Sequence, residues 1–277
     1  MVEPRVVLTD IVLGESTRWH DGRILFSDWG AGEIIAVADG AKDVVARVEG
    51  MPFCFDWLPD GRMISTQGSF QRMIRWEADG TQVTHADLTP LGVTSPWNDI
   101  AADSRGNAFI NNIGYDFPGG EPQPGFVAVV TPDGRARRVA GDLLFPNGMA
   151  VTADDATLIV AESHAGRLSA FDIGADGDLT KRRLWAQLDG AAPDGICIDA
   201  EGAVWYADVP NQQCVRVREG GEILATVRLD RGGFACALSP DGTLYAVTAD
   251  YSNPDAMLQG IHTGQLVAAD VGVGGVK

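Results

Sequence analysis

An all-β fold, a six-bladed β-propeller of four-stranded antiparallel blades, is predicted by three features of this chain. A tight turn followed by a short β-rich run recurs six times, with the third turn residues at 22, 61, 106, 156, 202 and 242. The intervals of 39, 45, 50, 46 and 40 residues match the period of a propeller blade, about 40 to 50 residues. Within each unit, strand-like runs of four to seven residues alternate with Gly-containing turns, the pattern of antiparallel hairpins. Helical periodicity is missing, because Gly and Pro interrupt almost every stretch that could carry an apolar stripe.

The elements follow in order. The first turn, His20-Asp21-Gly22-Arg23, precedes Ile24-Leu25-Phe26-Ser27, a polar loop, Glu33-Ile34-Ile35-Ala36-Val37 and a further turn at Asp39-Gly40. Later units open with Pro59-Asp60-Gly61-Arg62, Ser104-Arg105-Gly106-Asn107, Asp154-Asp155-Ala156-Thr157, Ala200-Glu201-Gly202-Ala203 and Pro240-Asp241-Gly242-Thr243. Six radial sheets leave only short protected edges, but the ring has to close. The C-terminal run from Gly264 to Val271 and the N-terminal Arg5-Val6-Val7-Leu8 are expected to share the closing blade. A single domain over residues 1–277, without a linker, is the expected organisation.

Composition narrows the function classes. Apolar residues make up 45% of the chain and charged residues 21%, enough for a large core and too apolar for disorder. A formal charge of -17 opposes a phosphate backbone and provides no basic patch for anionic lipid, so neither nucleic acid nor membrane is expected as a partner. Apolar runs such as Phe126 to Val130 fall well short of the roughly 20 residues that span a bilayer. Met1-Val2-Glu3-Pro4-Arg5 places an acid and a proline where a signal peptide needs a basic start and an apolar run, which predicts a cytoplasmic protein. Cys54, Cys197, Cys214 and Cys236 follow no metal or redox spacing and are expected as free, mostly buried thiols.

The repeat also aligns a set of polar side chains. Glu15, Asn98, Asn147 and Asp194 each stand seven to nine residues before the third residue of the next turn, and the two remaining units carry Phe53 and Phe234 there. Asn-Gly and Asp-Gly are ordinary turn dipeptides, but Glu15 at the matching index is not explained by turn chemistry. In a propeller the first strand of each blade lines the central channel, so a shared index just ahead of that strand means a shared height, and the four are expected to converge. Carboxylate and amide oxygens are donors for a hard divalent cation. Ca²⁺ is the expected ion, with Mg²⁺, Mn²⁺ or Zn²⁺ as alternatives, although zinc usually recruits His or Cys.

The loops after the second strands contain Asp28-Trp29, Tyr115-Asp116, Ser163-His164, Asp208 and Asp250-Tyr251, which are expected to wall a pocket around that ion. Among them His164 could contact substrate and exchange protons near neutral pH. Phe53, Phe234 and Trp97 near the same rim point to a less polar ligand. The acidic stretch Asp172 to Asp178 has Gly174 at its third position and Arg183 where an EF-hand needs a bidentate Glu, so it reads as a surface turn. The final Gly272-Val273-Gly274-Gly275 follows no strand-to-helix pattern and reads as a tail.

Gly14-Glu15-Ser16-x-x-Trp19, Asn98-Asp99, Pro146-Asn147-Gly148-Met149-Ala150, Pro193-Asp194-Gly195-x-Cys197-x-Asp199 and Gly264-x-Leu266 through Asp270-Val271-Gly272 together resemble the SMP-30/gluconolactonase/luciferin-regenerating family. The resemblance runs through essentially the whole chain in order. It implies a six-bladed propeller with a divalent metal, usually calcium, and hydrolysis of a lactone or related ester as the activity. Carried over by position, it implies Glu15, Asn147 and Asp194 as metal ligands, Asp194 as the group that moves the proton, and Asn98 as a substrate contact. Asp116 is the nearest equivalent of a further acidic substrate contact. Sugar-lactone members usually carry an Arg two residues before the Asn matched by Asn98, and here that residue is Pro96. Loss of that multi-donor group disfavours a sugar lactone and keeps open a metal-assisted lyase or cyclase. A non-enzymatic binding platform with structural calcium is the third alternative.

Overall fold

Hairpin turns open the sheets, and their backbone explains the repeat. Asp21 and Gly22 both take positive φ, 48° and 74°, the combination of a type I′ turn, whose twist matches that of the flanking strands. Gly61, Gly106, Gly202 and Gly242 also have positive φ, and each donates its amide to the carbonyl three residues earlier. The fourth turn departs from the expected spacing. There the left-handed residue is Asp155 (φ 55°), whose amide meets Thr152 O at 2.9 Å. Ala156 is passed over because a Cβ makes that conformation costly, whereas Asp tolerates it.

The structure is a computed structural model that describes residues 2–38, 40–252 and 259–276. Asp39 of the predicted Asp39-Gly40 turn and Met1 lie outside the described residues. The first strand in the chain is β1 (Arg5–Ile11). The next sheet is β2 (Gly14–His20), β3 (Arg23–Asp28), β4 (Glu33–Ala38) and β5 (Ala41–Arg47). The following two are β6 (Phe55–Trp57), β7 (Met63–Gln67), β8 (Arg72–Trp76) and β9 (Gln82–Asp87), then β10 (Trp97–Ala102), β11 (Ala108–Asn112), β12 (Gly125–Val130) and β13 (Ala136–Leu143). After them come β14 (Pro146–Val151), β15 (Thr157–Glu162), β16 (Arg167–Ile173) and β17 (Leu179–Gln187), then β18 (Pro193–Ile198), β19 (Val204–Asp208), β20 (Gln213–Val217) and β21 (Ile223–Arg228). In the last sheet β22 (Gly232–Leu238), β23 (Thr243–Ala249) and β24 (Gly264–Asp270) are joined by β1, in the order β1-β24-β23-β22. The described residues contain no α-helix, only 3₁₀ turns at Gly68–Phe70, Thr89–Leu91 and Ser163–Ala165. Six four-stranded antiparallel sheets, the last completed by the N-terminal strand, make this a six-bladed β-propeller.

By its internal contacts the chain forms two compact units, Met1–Val48 with Gly166–Leu168 and Leu184–Lys277, and Glu49–Ala165 with Ser169–Arg183. In the first, Phe26, Ile35, Phe234, Val247 and Leu266 form one core, and Trp205, Cys214, Cys236 and Leu244 another. In the second, Phe109, Val127, Val129, Leu158 and Phe171 pack together. Burial falls from the inner strands to the outer ones: every residue of β11 is buried, whereas β17 exposes Lys181, Arg182 and Arg183. Charged outer strands protect the sheet edges from pairing with other chains.

All four cysteines are free, and Cys54, Cys214 and Cys236 are buried, as expected. The Asp172–Asp178 stretch is a surface turn: Gly174 N bonds Asp178 O, and Asp172 pairs with Lys181 and Arg183. The final glycines are more than a tail. Ala200 N donates to Gly274 O, Gly275 N donates to Ser239 O, and Gly275 bridges to Asp199. A Cβ on Gly274 would stand 2.2 Å from Pro240 O, so only glycine allows the segment to lie this close to the turn.

Candidate functional site

The four aligned residues lie inside strands, not ahead of them. Glu15, Asn98, Asn147 and Asp194 are the second residues of β2, β10, β14 and β18. Pairing jumps from Glu15↔Ser27 to Arg18↔Leu25, from Trp97↔Asn112 to Ile100↔Ile110, from Pro146↔Glu162 to Met149↔Val160, and from Pro193↔Asp208 to Ile196↔Tyr206. Each jump sets three residues of the first strand against two of the second, which is a β-bulge. β22 has one too, between Gly233 and Ala235, with Phe234 as the extra residue. A bulge releases a side chain from strict alternation and re-aims it; Asn98, Asn147 and Asp194 lie within their bulges, whereas Glu15 still pairs with Ser27 and its bulge follows at Ser16 and Thr17. Gly195 permits the bulge in β18: a Cβ there would meet Ala235 of β22 at 2.6 Å.

In the second unit the structure brings Asn98 and Asn147 together. Asn98 Nδ2 donates to Asn147 Oδ1 at 3.2 Å, and Asn147 Nδ2 donates to Ser163 Oγ at 3.3 Å. Beneath them Asn111 Nδ2 donates to Asn147 O at 2.6 Å, while its Oδ1 accepts Asp99 N. Asp99 Oδ2 accepts Met149 N at 2.9 Å, tying β10 to β14. This support was not anticipated from the sequence. Its signal is Asn111-Asn112 at the end of a strand that is otherwise apolar and wholly buried.

In the first unit Glu15 is 9% exposed and Asp194 is half-buried, with its Oδ1 shielded from solvent. Their strands, β2 and β18, both pack against β22 and also approach each other. Among the described residues no group of three or more His, Cys, Asp or Glu is placed to hold a metal ion. A cation site here would therefore include amide or backbone oxygens, a hard-donor chemistry that suits Ca²⁺.

Two sequence expectations are corrected. Asp28 and Asp208 do not wall a pocket. Asp28 is 1% exposed and accepts the amides of Val12 and Leu13, and Asp208 is fully buried and accepts those of Ala192, Asn211 and Gln213 side or main chains. They belong to a structural repeat, in which the last residue of the second strand ties down the segment ahead of the first. Gln67 does this through Glu49 O, Asn112 through Ser95 and Pro96 O, and Glu162 through Leu144 N. A buried polar group at a strand end needs such partners. Phe53, Trp97 and Phe234 are the second correction, since at 0%, 0% and 8% exposure they are core residues. Trp97 Nε1 donates to Gln71 Oε1 at 2.8 Å.

The aromatic surface of the second unit is made by other residues. His164 is exposed and packs at a tilt of 35° against half-buried Phe145 with ring centroids 4.5 Å apart, and Tyr115 and Phe117 lie 6.0 and 5.2 Å from Phe145. Burial holds the His164 imidazole below, and the Tyr115 phenol above, their usual ranges. Asp116 is exposed, its carbonyl taking Gly120 N. Asp250 is exposed and accepts Ser252 N.

Residues 13–250 match the SMP-30/Gluconolactonase/LRE-like region. Regucalcin of Xenopus laevis is 25% identical over 255 residues, 88% of this chain and 85% of its own. The 6-deoxy-6-sulfogluconolactonase of Pseudomonas putida is 28% identical over 234 residues, 81% and 78% of the two chains. Among solved structures, a calcium-binding protein, regucalcin, from Agrobacterium tumefaciens superposes with a TM-score of 0.81 at 21% identity, covering 99% of this chain and 95% of that one. A luciferin-regenerating enzyme gives 0.80 at 19% identity, covering 99% and 97%. With a family match over most of its length, the chain belongs to the SMP-30/gluconolactonase/LRE-like family.

Proposed function

We propose that this protein is a hydrolase of a lactone or related ester that works with a divalent cation, Ca²⁺ in the first instance, held by Glu15, Asn147 and Asp194. The observation that carries the reading is the shared position of these residues, second in β2, β14 and β18, together with the hydrogen bond from Asn98 Nδ2 to Asn147 Oδ1. That bond and the one to Ser163 fix the Asn147 amide and leave a second lone pair on Oδ1 for a cation. A lactonase activity accords with the family and with the P. putida relative. When bound, the cation supplies Lewis acidity toward the substrate carbonyl oxygen.

The chain's own residues supply the rest. Asp194 takes a proton at a carboxylate oxygen from the attacking water as the oxygen–carbonyl bond forms. The ring C–O bond then breaks, and the same carboxyl returns the proton to the departing alkoxide. Asn98, held against Asn147, orients the substrate. Asp116 and His164 contact substrate from the loops after β11 and β15.

The reading is tested by proton release across sugar, aliphatic and aromatic lactones, with Ca²⁺ and with chelator. Turnover is expected to require the metal, and the metal is expected to raise Tm as a ligand specific to the folded state. Asp194→Ala should abolish turnover and the Ca²⁺-dependent gain in Tm. Full activity in that variant, or indifference of both activity and Tm to chelator, overturns the proposal. A platform with structural calcium would keep the Tm effect and show no turnover with any substrate.

A further inference from the structure

The second unit carries an aromatic cluster joined to the amide pair. Phe117 is 59% exposed and Leu144 43%; the first touches the half-buried Phe145 and the second precedes it in sequence. The cluster is built and not incidental. Phe145 holds a positive φ of 57°, a conformation disfavoured for a bulky residue that persists only where its surroundings impose it. The imposing contacts are Ser163 N to Phe145 O at 3.1 Å and His164 N to Leu144 O at 3.3 Å, which lock the two loops together and set the imidazole against the Phe145 ring. Phe117 meets that ring edge-on at 83°, and Tyr115, 8% exposed, closes the back of the cluster. Asn147 reaches Ser163, the neighbour of His164, through its Nδ2, so the aromatic surface is continuous with the Asn98–Asn147 pair.

Resting on the hydrolase reading above, we infer that Phe117, Phe145 and His164 form the specificity surface of the site, and that the substrate is a lactone or ester bearing an apolar, aryl or alkyl substituent. The chemistry near Asn98 agrees. Two residues before it stands Pro96, whose carbonyl is taken by Asn112 Nδ2 at 3.1 Å, so that position presents no cation to a polyhydroxylated ring. Edge-to-face and stacked rings recognise an aryl or alkyl group by burying its area, and a neutral imidazole serves this better than a charged one. The lowered basicity of His164 keeps it neutral at physiological pH.

The test compares a phenyl-substituted γ-lactone, unsubstituted γ-butyrolactone and a sugar δ-lactone as substrates for the wild type, Phe117→Ala and Phe117→Leu. Phe117 is exposed, so the variants should fold. The wild type is expected to prefer the phenyl lactone. Phe117→Ala should lower its kcat/KM roughly 10-fold, as expected for losing part of a buried ring contact, with γ-butyrolactone changed less than about twofold and Phe117→Leu in between. Preference for the sugar lactone, or a phenyl-lactone kcat/KM unchanged in Phe117→Ala, overturns the inference. If no lactone is hydrolysed, the hydrolase reading fails separately, and calorimetric titration with the phenyl-substituted γ-lactam decides. Binding to the wild type that weakens in Phe117→Ala supports the apolar surface, and absence of binding overturns it.

Discussion

Replacing Asp28 with Ala distinguishes a structural tie from a pocket wall. Its carboxylate, 1% exposed, accepts the amides of Val12 and Leu13 at 3.1 Å each, and those residues are themselves 3% and 4% exposed. Without the carboxylate, two buried donors lose their acceptor. Each such group costs about 1–3 kcal/mol, so Asp28→Ala should destabilise by about 4 kcal/mol in total. At about 2–4 °C per kcal/mol for a chain of this size, Tm should fall by roughly 10 °C. Asp28→Asn keeps one carbonyl oxygen and loses the charge-assisted character of the bonds, for a cost of about 1–2 kcal/mol. Scanning calorimetry and urea melts measure both. A Tm for Asp28→Ala within a degree or so of wild type would refute the tie, and a raised KM in Asp28→Asn at unchanged Tm would restore the pocket role.

Two further perturbations probe buried charge. Asp199, fully buried, accepts Arg216 Nε at 2.6 Å, with Arg216 only 12% exposed, while Glu201 on the same guanidinium is 66% exposed. Arg216→Met strands a buried carboxylate and should cost about 3–5 kcal/mol, whereas Glu201→Ala should cost less than about 1 kcal/mol; equal effects in urea melts would show that burial is not the governing variable. Burial, and then the charges of Arg75 and Arg62, hold His85 below its ordinary value of 6.5, and Arg75 Nη1 stands 3.3 Å from its Nδ1. The unfolded chain binds that proton more readily, so stability is full above the ordinary value and is lost as pH falls toward the folded one. A Tm profile from about pH 7 to 5 should be shallower in His85→Gln, and an unchanged slope counts against the assignment.

The propeller was legible because its determinants are local or periodic. Positive φ at Gly22, Gly61, Gly106, Gly202 and Gly242 follows from the absence of a Cβ at a turn, and the spacing of those turns is a property of the chain alone. Closure by β1 on β24 was equally readable, since two leftover β-rich runs at the chain ends had a single gap to fill. The fourth turn slipped by one residue because spacing cannot tell which of Asp155 and Ala156 bears the strain.

Side-chain roles were less legible for a reason of distance. Asp28 and Asp208 look like loop acids in sequence, and only pairing of the second strand with the first shows that backbone amides consume them. Phe53 and Phe234 share a site-like index yet are buried in the core. The sequence by itself determined the six sheets, their order and the repeat index at which Glu15, Asn98, Asn147 and Asp194 recur. Only the tertiary structure decided that the position lies inside the strand, within a bulge for Asn98, Asn147 and Asp194, that Asn111 supports Asn147 across 36 residues, and that Tyr115 meets Phe145 and His164. Those contacts join residues far apart in the chain, and their energies depend on packing and burial that no local pattern encodes.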